Sequence, residues 1–350
     1  MGPSLDHVVR EWEGSPPAPH RQARFHLAEV LLDVDTDDPA LVDELSSVLG
    51  RPREGASAGQ VHARFAARVR ARGGPDRFGH LKLACASPGA QGPAELMIGL
   101  GSEDFPFHLV DAAPAWTSLA FRGEDAPMFA LRGDDCLFAL VPGWRKAVTL
   151  LLLQRLMRLR ADAIFFHAAS VAVAGRGALI VGPKGAGKST LALALATRGH
   201  GLLGDEHACY VPGRNELVAF RRPVGVKPGP RARTSEDALA RAGRDPDRDG
   251  MMRVPVEELL PAAAAAPGPV PLHAVVFLRG LADEVRLSRV EPGREELAAL
   301  QPVASSFTNA RSTERVFQLV RLLSRAAVFH LRAGPPDDTA AAVESVLAGA

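Results

Sequence analysis

The stretch Gly177-Ala-Leu-Ile-Val-Gly-Pro-Lys-Gly-Ala-Gly-Lys-Ser-Thr-Leu-Ala-Leu-Ala-Leu-Ala-Thr197 decides the fold of the second half of this chain. Its middle, Gly182–Thr190, matches the pattern G-x-x-x-x-G-K-[ST] of a phosphate-binding loop. The apolar residues before the loop predict a buried strand, and the residues after it predict a helix. The pattern requires this order, because glycines let successive backbone N–H groups surround a phosphate at a helix start.

The loop therefore predicts a site for ATP with Mg²⁺. The Lys188 side chain is expected to reach the β- and γ-phosphates, and the Ser189 hydroxyl to bind the metal. All loop residues are candidate nucleotide contacts: Gly182, Pro183, Lys184, Gly185, Ala186, Gly187, Lys188, Ser189 and Thr190.

The composition is that of a soluble globular protein. The chain has 350 residues, enough for two domains, with 47% apolar and 23% charged residues. A net charge of +1 argues against a nucleic-acid or membrane-surface protein. The three cysteines form no C-x-x-C pair, and the first residues have no signal-peptide pattern. We expect a cytoplasmic protein with reduced thiols, and the richness in Ala, Gly, Arg and Pro indicates a bacterial source.

We expect the first half, residues 1–146, to form an α+β domain that is smaller than the second domain. By elimination, this domain would select the substrate or build an oligomer. Phe25–Val34 alternates as one strand, and Asp38-Pro39 predicts the start of a helix that runs to Leu49. Residues 61–72 have helical spacing. Short β-type runs predict an antiparallel sheet at residues 81–86, 95–100, 107–110, 116–121, 128–131 and 136–141.

The second half, residues 147–350, predicts an α/β domain with a mixed sheet, which opens on a leucine-rich helix over 147–160. Ser170–Ala174 and Ala178–Val181, joined by Gly175-Arg-Gly177, predict a hairpin that leads into the loop. Apolar runs predict strands at 202–203, 207–211, 217–226, 272–278, 284–290 and 327–331. Helical patterns are found at 236–244, 255–266, 295–300, 313–325 and 337–347.

Phosphoryl transfer also needs a carboxylate outside the loop. The apolar run Ala274–Leu278 cannot supply it, since Arg279-Gly280 follows. Asp205 and Glu206 instead follow Leu202-Leu-Gly204, one helix and one return after the loop. We expect Asp205 to act as the base and Glu206 to bind the metal or the substrate.

A resemblance to a known family appears at these residues. The run His167–Thr190, then Arg198-Gly-His200 and Leu202-Leu-Gly-Asp-Glu206, resembles the catalytic domain of the HPr kinase/phosphorylase family, over about residues 163–212. It is more similar to the HPr-kinase-related members, some of which phosphorylate modified peptides or small molecules.

The resemblance implies an HPr-kinase-like phosphate-loop fold and roles for single residues. His167 would lie near the nucleotide phosphates, and Asp205 would take the proton of the acceptor hydroxyl. Glu206 stands where the family has a second aspartate. Lys188 and Ser189 match the residues that bind phosphate and metal.

Other side chains are weaker candidates. His167 can also be a structural histidine buried behind Ile164-Phe-Phe166, and His200 suits a helix end for structural reasons. Lys227 could contact a phosphate or an acidic substrate, or be solvated. A cation for the transferred phosphoryl group could come from Arg221, Arg222 or Arg253, and the sequence does not choose among them.

These observations favour an ATP-dependent phosphotransferase that acts on a Ser or Thr hydroxyl of a peptide or protein. A small-molecule kinase acting on an amino acid, sugar or related alcohol is the alternative, because the acid pair suits both. A non-catalytic nucleotide-gated regulator is the third hypothesis, although a sensor needs no base. The resemblance also implies a possible homo-oligomer.

Overall fold

The chain divides into two compact units, Met1–Arg160 and Ala161–Ala350. The computed structural model describes residues 21–52, 61–69, 107–113, 116–121, 129–132, 136–139, 149, 152–153, 156–157, 159–226, 252–264, 268–305 and 312–349. The domain boundary between residues 146 and 147 stays a prediction. Within the described part of the chain, no helix has the length and hydropathy of a membrane span.

The first unit contains a seven-stranded sheet and the helix α1 (Pro39–Leu49). The strands are β1 (Arg21–Leu27), β2 (Val30–Thr36), β3 (Val61–Val69), β4 (Phe107–Ala113), β5 (Trp116–Phe121), β6 (Phe129–Arg132) and β7 (Cys136–Ala139). Their order is β1-β2-β3-β7-β6-β5-β4. The strands at the four described runs, β4 to β7, pair antiparallel as predicted, whereas β3 pairs parallel with both β2 and β7.

The start of α1 is as predicted. The Asp38 side chain accepts a hydrogen bond from the Ala40 N–H at 3.1 Å, and Pro39 occupies the first turn, where its missing N–H costs nothing. The single strand predicted over Phe25–Val34 is wrong. Ala28 and Glu29 have φ values of 50° and 61°, and this left-handed pair turns the chain into the hairpin β1–β2.

The helix predicted over residues 61–72 is also wrong, since Val61–Val69 forms β3. Val61, Ala63 and Phe65 alternate with polar residues, which is the period of a strand. The runs predicted at 81–86 and 95–100 lie outside the described residues, and the four later runs correspond to β4, β5, β6 and β7.

The second unit is a mixed α/β unit. Its strands are β8 (Ile164–Phe166), β9 (Ala169–Val173), β10 (Arg176–Val181), β11 (Gly201–Gly204), β12 (Ala208–Val211), β13 (Glu216–Val218), β14 (Val224–Val226), β15 (Met252–Val254), β16 (Val270–Leu281), β17 (Arg286–Val290), β18 (Ala304–Ser305) and β19 (Ala327–Ala333). Its helices are α2 (Lys188–Thr197), α3 (Val256–Leu259), α4 (Pro261–Ala264), α5 (Arg294–Leu300), α6 (Ser312–Arg325) and α7 (Pro336–Ala348).

A large mixed sheet organises this unit, as predicted. The strand order is β11-β9-β10-β16-β13-β12-β8-β18, with β19 beside β16 and β17 beside β19. The first residues of β16 pair with β13, and its later residues lie parallel between β10 and β19. The strands β14 and β15 form a separate two-stranded ribbon.

Helices cover both faces of the sheet. Leu191 and Leu195 of α2 and Val343 of α7 pack on one face, together with Ile180. Leu322 of α6 and its neighbours cover the other face. Full burial of each such side chain contributes about 1.5–3 kcal/mol, so the helix after the loop is held firmly against the sheet.

Two predicted elements of this unit are interrupted. The strand expected over 217–226 is β13 and β14, because Phe220 leaves the ladder to donate its N–H to the Leu203 carbonyl at 2.7 Å. The helix expected over 255–266 is α3 and α4, because a residue before proline, here Leu260, favours an extended backbone. The helix predicted over 236–244 lies outside the described residues.

Candidate functional site

The predicted phosphate loop has the expected strand–loop–helix setting. Residues 182–187 connect the end of β10 to the start of α2. Gly185 and Gly187 have φ values of 83° and 97°, a region that side-chain-bearing residues rarely adopt. A Cβ atom on Gly182 would lie 2.9 Å from the Leu278 Cβ atom, so the neighbouring strand requires glycine there.

Lys188 turns back over its own loop. Its Nζ donates hydrogen bonds to the carbonyl oxygens of Gly182 at 2.8 Å and Pro183 at 3.1 Å. Burial lowers the pKa of Lys188, and the charges of Asp205 and Glu206 oppose that shift. The ammonium group is therefore held inside the loop, near the two acids.

Asp205 lies beside the start of α2. The strands β9 and β10 form the predicted hairpin, and β11 pairs antiparallel with β9. As a result β10 and β11 run in the same direction, and both carboxyl ends reach one edge of the sheet. There the Ser189 Oγ donates a hydrogen bond to the Asp205 Oδ1 at 2.8 Å. The expected proximity of this carboxylate to the loop is what the structure shows.

The Asp205 carboxyl group is buried, with only 6% of the residue exposed. Burial raises its pKa, and the Glu206 charge acts in the same direction. The hydrogen bond from Ser189 and the charge of Lys188 oppose the shift. A carboxylate of raised pKa accepts a proton more readily, which suits a general base.

Glu206 occupies a left-handed backbone conformation with φ 62°. Its Oε2 lies 3.7 Å from Arg222 Nη1 and 3.7 Å from Arg253 Nη1. Two of the three candidate arginines thus meet at one carboxylate oxygen, next to the acid bound to Ser189.

His167 is exposed, although the three residues before it are buried. Its Nδ1 lies 3.1 Å from the Glu206 carbonyl oxygen, which can only accept a hydrogen bond. Nδ1 therefore carries a proton, and the role of a buried structural histidine is wrong. The contact places His167 at the backbone of the acid pair.

The three arginine candidates differ in their surroundings. Arg221 donates to the carbonyl oxygens of Leu202 at 2.9 Å and Ala264 at 2.7 Å, so it ties backbone segments together. Arg222 is buried, and burial lowers its pKa to about 10. Arg253 is 34% exposed. The other candidate, Lys227, lies outside the described residues.

Sequence reasoning missed His207. Its Nδ1 lies 3.0 Å from Arg222 Nη1, and its ring packs edge-on against Phe220 at 5.9 Å between centroids. Burial lowers the pKa of His207 well below its usual range, and the charges of Arg222, His167 and Arg253 add to the shift. A neutral ring can accept the Arg222 N–H. The position of His207 directly after the Asp205-Glu206 pair was the feature of the sequence that could have identified it.

The oxygens beside the loop fit Mg²⁺. Mg²⁺ prefers hydroxyl and carboxylate oxygens and usually keeps waters and phosphate oxygens in its shell. The Ser189 hydroxyl and the Asp205 carboxylate present such oxygens together. Among the described residues, no group of three or more His, Cys, Asp or Glu side chains forms a metal cluster.

Two further sequence features have structural roles. Glu344 of α7 pairs with Arg198 at 2.6 Å and with His200 at 3.2 Å, which favours the structural interpretation of His200. At the end of β16, Arg279 pairs with Glu295 at 2.9 Å. The position after the apolar run Ala274–Leu278 therefore holds a cation.

No protein-family model matches this chain, and no curated protein matches its sequence. Among solved structures, the chain is similar to the HPr(Ser) kinase/phosphatase from Coxiella burnetii, with 14% sequence identity and a TM-score of 0.27. The similarity covers 53% of this chain and 94% of the other. A TM-score this low carries no weight for the chemistry of the site.

Proposed function

We propose that this chain is an ATP-dependent phosphotransferase that transfers the γ-phosphoryl group to a Ser or Thr hydroxyl of a peptide or protein. The observation that carries the proposal is the 2.8 Å hydrogen bond between Ser189 and the buried Asp205. It places a carboxylate of raised pKa at the hydroxyl of the predicted phosphate loop. A loop that only binds a nucleotide needs no proton acceptor of this kind.

The loop supplies the binding of the nucleotide. Its backbone N–H groups and the start of α2 favour phosphate oxygens. Lys188 would exchange the two loop carbonyls that it now contacts for the β- and γ-phosphates. The Ser189 hydroxyl would bind Mg²⁺, which neutralises charge on the phosphates when it is bound.

The transfer step follows from these positions. The acceptor hydroxyl oxygen forms a bond to the γ-phosphorus, and the bond from that phosphorus to the oxygen bridging the β-phosphate breaks. ADP leaves with the electron pair of that bond, and the hydroxyl proton passes to Asp205. Orientation and fixed charge supply most of the acceleration in such reactions.

Two roles were expected for Glu206, binding the metal or binding the substrate, and its contacts favour binding the substrate. Both arginine contacts are made by its Oε2, so its carboxylate is held among cations. His167, bound to the Glu206 carbonyl oxygen, would contact the phosphates or the acceptor beside Glu206.

The acceptor is identified by transfer from γ-labelled ATP in a cell extract. We expect label in a peptide or protein fraction with the wild-type chain and a loss of at least about 10²-fold with Lys188→Ala, since one fixed charge contributes about that factor. Label in small metabolites would instead favour the small-molecule kinase. ATP binding without Lys188-dependent transfer would favour the nucleotide-gated regulator.

A further inference from the structure

Two arginines approach the same oxygen of Glu206 at the same distance, but they come from different elements and differ in burial. Arg222 precedes β14 and its side chain is 9% exposed. Arg253 lies in β15, opposite Gly225 of β14, and its side chain is 34% exposed. Because the two arginines are equally far from Glu206 but differ in solvent exposure, we expect them to have different roles.

Arg222 has the environment of a positioning residue. Its Nη1 contacts His207 Nδ1 at 3.0 Å, and its backbone N–H donates to the Phe220 carbonyl oxygen at 3.2 Å. The His207 ring is itself packed against the Phe220 ring. Arg222 is thus held at its backbone and at its guanidinium and is shielded from solvent, so that it can keep the Glu206 carboxylate in place.

Arg253 has the environment of a ligand contact. Its side chain reaches the acid pair from a ribbon outside the large sheet, and a third of it faces solvent. Transfer of a phosphoryl group places charge on its equatorial oxygens, and an arginine fork binds two such oxygens at once. A cation for this purpose must be accessible when the nucleotide is bound.

We infer that Arg253 is the cation that contacts the transferred phosphoryl group, and that Arg222 with His207 positions Glu206 beside it. This inference rests on the proposed function, and it decides among arginines that the sequence leaves equivalent. Arg221 is excluded because its guanidinium binds backbone carbonyl oxygens of two other segments.

Trapping of Mg·ADP with aluminium fluoride tests the role of Arg253 without a known acceptor, because the fluoride complex imitates the phosphoryl group in transfer. Arg253→Ala is expected to weaken trapping by about 10²-fold or more while ADP affinity stays as in the wild type. Added guanidinium should restore trapping in this variant, since the side chain is accessible. The matched control is Arg289→Ala, at an exposed arginine of β17.

The positioning pair is tested by the same trapping measurement. Arg222→Ala should also trap poorly, but guanidinium should not rescue it, because the site is buried. His207→Asn, which keeps a hydrogen-bond acceptor near the Nδ1 position, should trap better than His207→Phe. Guanidinium rescue of Arg222→Ala, or equal trapping by the two His207 variants, would overturn this part.

The trapping results separate a failure of the Arg253 assignment from a failure of the proposed function. If the wild-type chain traps the complex and Arg253→Ala traps it equally well, Arg253 is not the phosphoryl cation and the proposed function stands. If the wild-type chain binds no Mg·ADP, the proposed function fails and the inference fails with it.

Discussion

Replacing Asp205 with asparagine is expected to lower phosphoryl transfer by about 10²–10⁴-fold, the usual contribution of a general base. Asparagine keeps an oxygen that accepts the Ser189 hydrogen bond but cannot take a proton at neutral pH. ATP binding should therefore be largely retained. Kinetics with labelled ATP and equilibrium binding of ATP, measured on the same preparation, separate the two effects.

The same substitution is expected to raise the melting temperature at neutral pH. Burial raises the pKa of Asp205 above its ordinary value of 3.8, so the folded chain holds this proton to higher pH than the unfolded chain. Stability therefore falls as the pH rises from 3.8 through the raised pKa, and the ionised carboxylate costs stability above it. Asparagine carries no such cost, so the gain in melting temperature should disappear below pH 3.8.

Thermal unfolding of the two proteins across this pH range checks the sign. The matched control is Asp283→Asn, at an exposed aspartate between β16 and β17, which should change neither transfer nor stability. An Asp205→Asn protein with wild-type transfer would remove Asp205 as the base. A lower melting temperature at neutral pH would contradict the burial argument.

Replacing Gly204 with alanine is the second change with a large expected effect. A Cβ atom there would overlap the His207 carbonyl oxygen and lie 3.3 Å from the Phe220 carbonyl oxygen. Backbone cannot yield as a side-chain end can, so the Asp205–Glu206 turn must move. Overpacking of this kind costs about 1–3 kcal/mol of unfolding free energy, and a displacement of about 1 Å at a reacting group costs about 10²-fold in rate.

Denaturant unfolding and transfer kinetics on Gly204→Ala measure both losses. Gly213→Ala provides the matched control, because a Cβ atom at Gly213 has no atom within 4 Å among the described residues. We expect Gly213→Ala to behave as the wild type. If Gly204→Ala does so as well, the close approach at Gly204 does not set the position of the acid pair.

The parts of the fold that depend on local sequence could be predicted. The loop glycines, the Gly175 hairpin and the Asp38 cap each act within a few residues, so their patterns specify the structure directly. The placement of Asp205 also followed, because one helix and one return bring the next strand to the same edge of the sheet.

The parts that depend on distant neighbours could not be predicted. The Ala28-Glu29 turn uses a left-handed backbone without glycine or asparagine, and Phe220 leaves its strand to bind Leu203. The difference between Arg222 and Arg253 arises from burial by separate elements, and no spacing in the sequence records it. His207 acquires its role from Arg222 and Phe220, which come later in the chain.

Calorimetric titration of the whole chain with ATP, with and without Mg²⁺, tests most directly whether residues Gly182–Thr190 bind a nucleoside triphosphate. The wild-type chain should bind one ATP more tightly with Mg²⁺ than without it. Lys188→Ala should lose this binding, while the surface variant Arg286→Ala should keep it. Equal binding by the wild type and Lys188→Ala, or no binding by the wild type, would contradict the account.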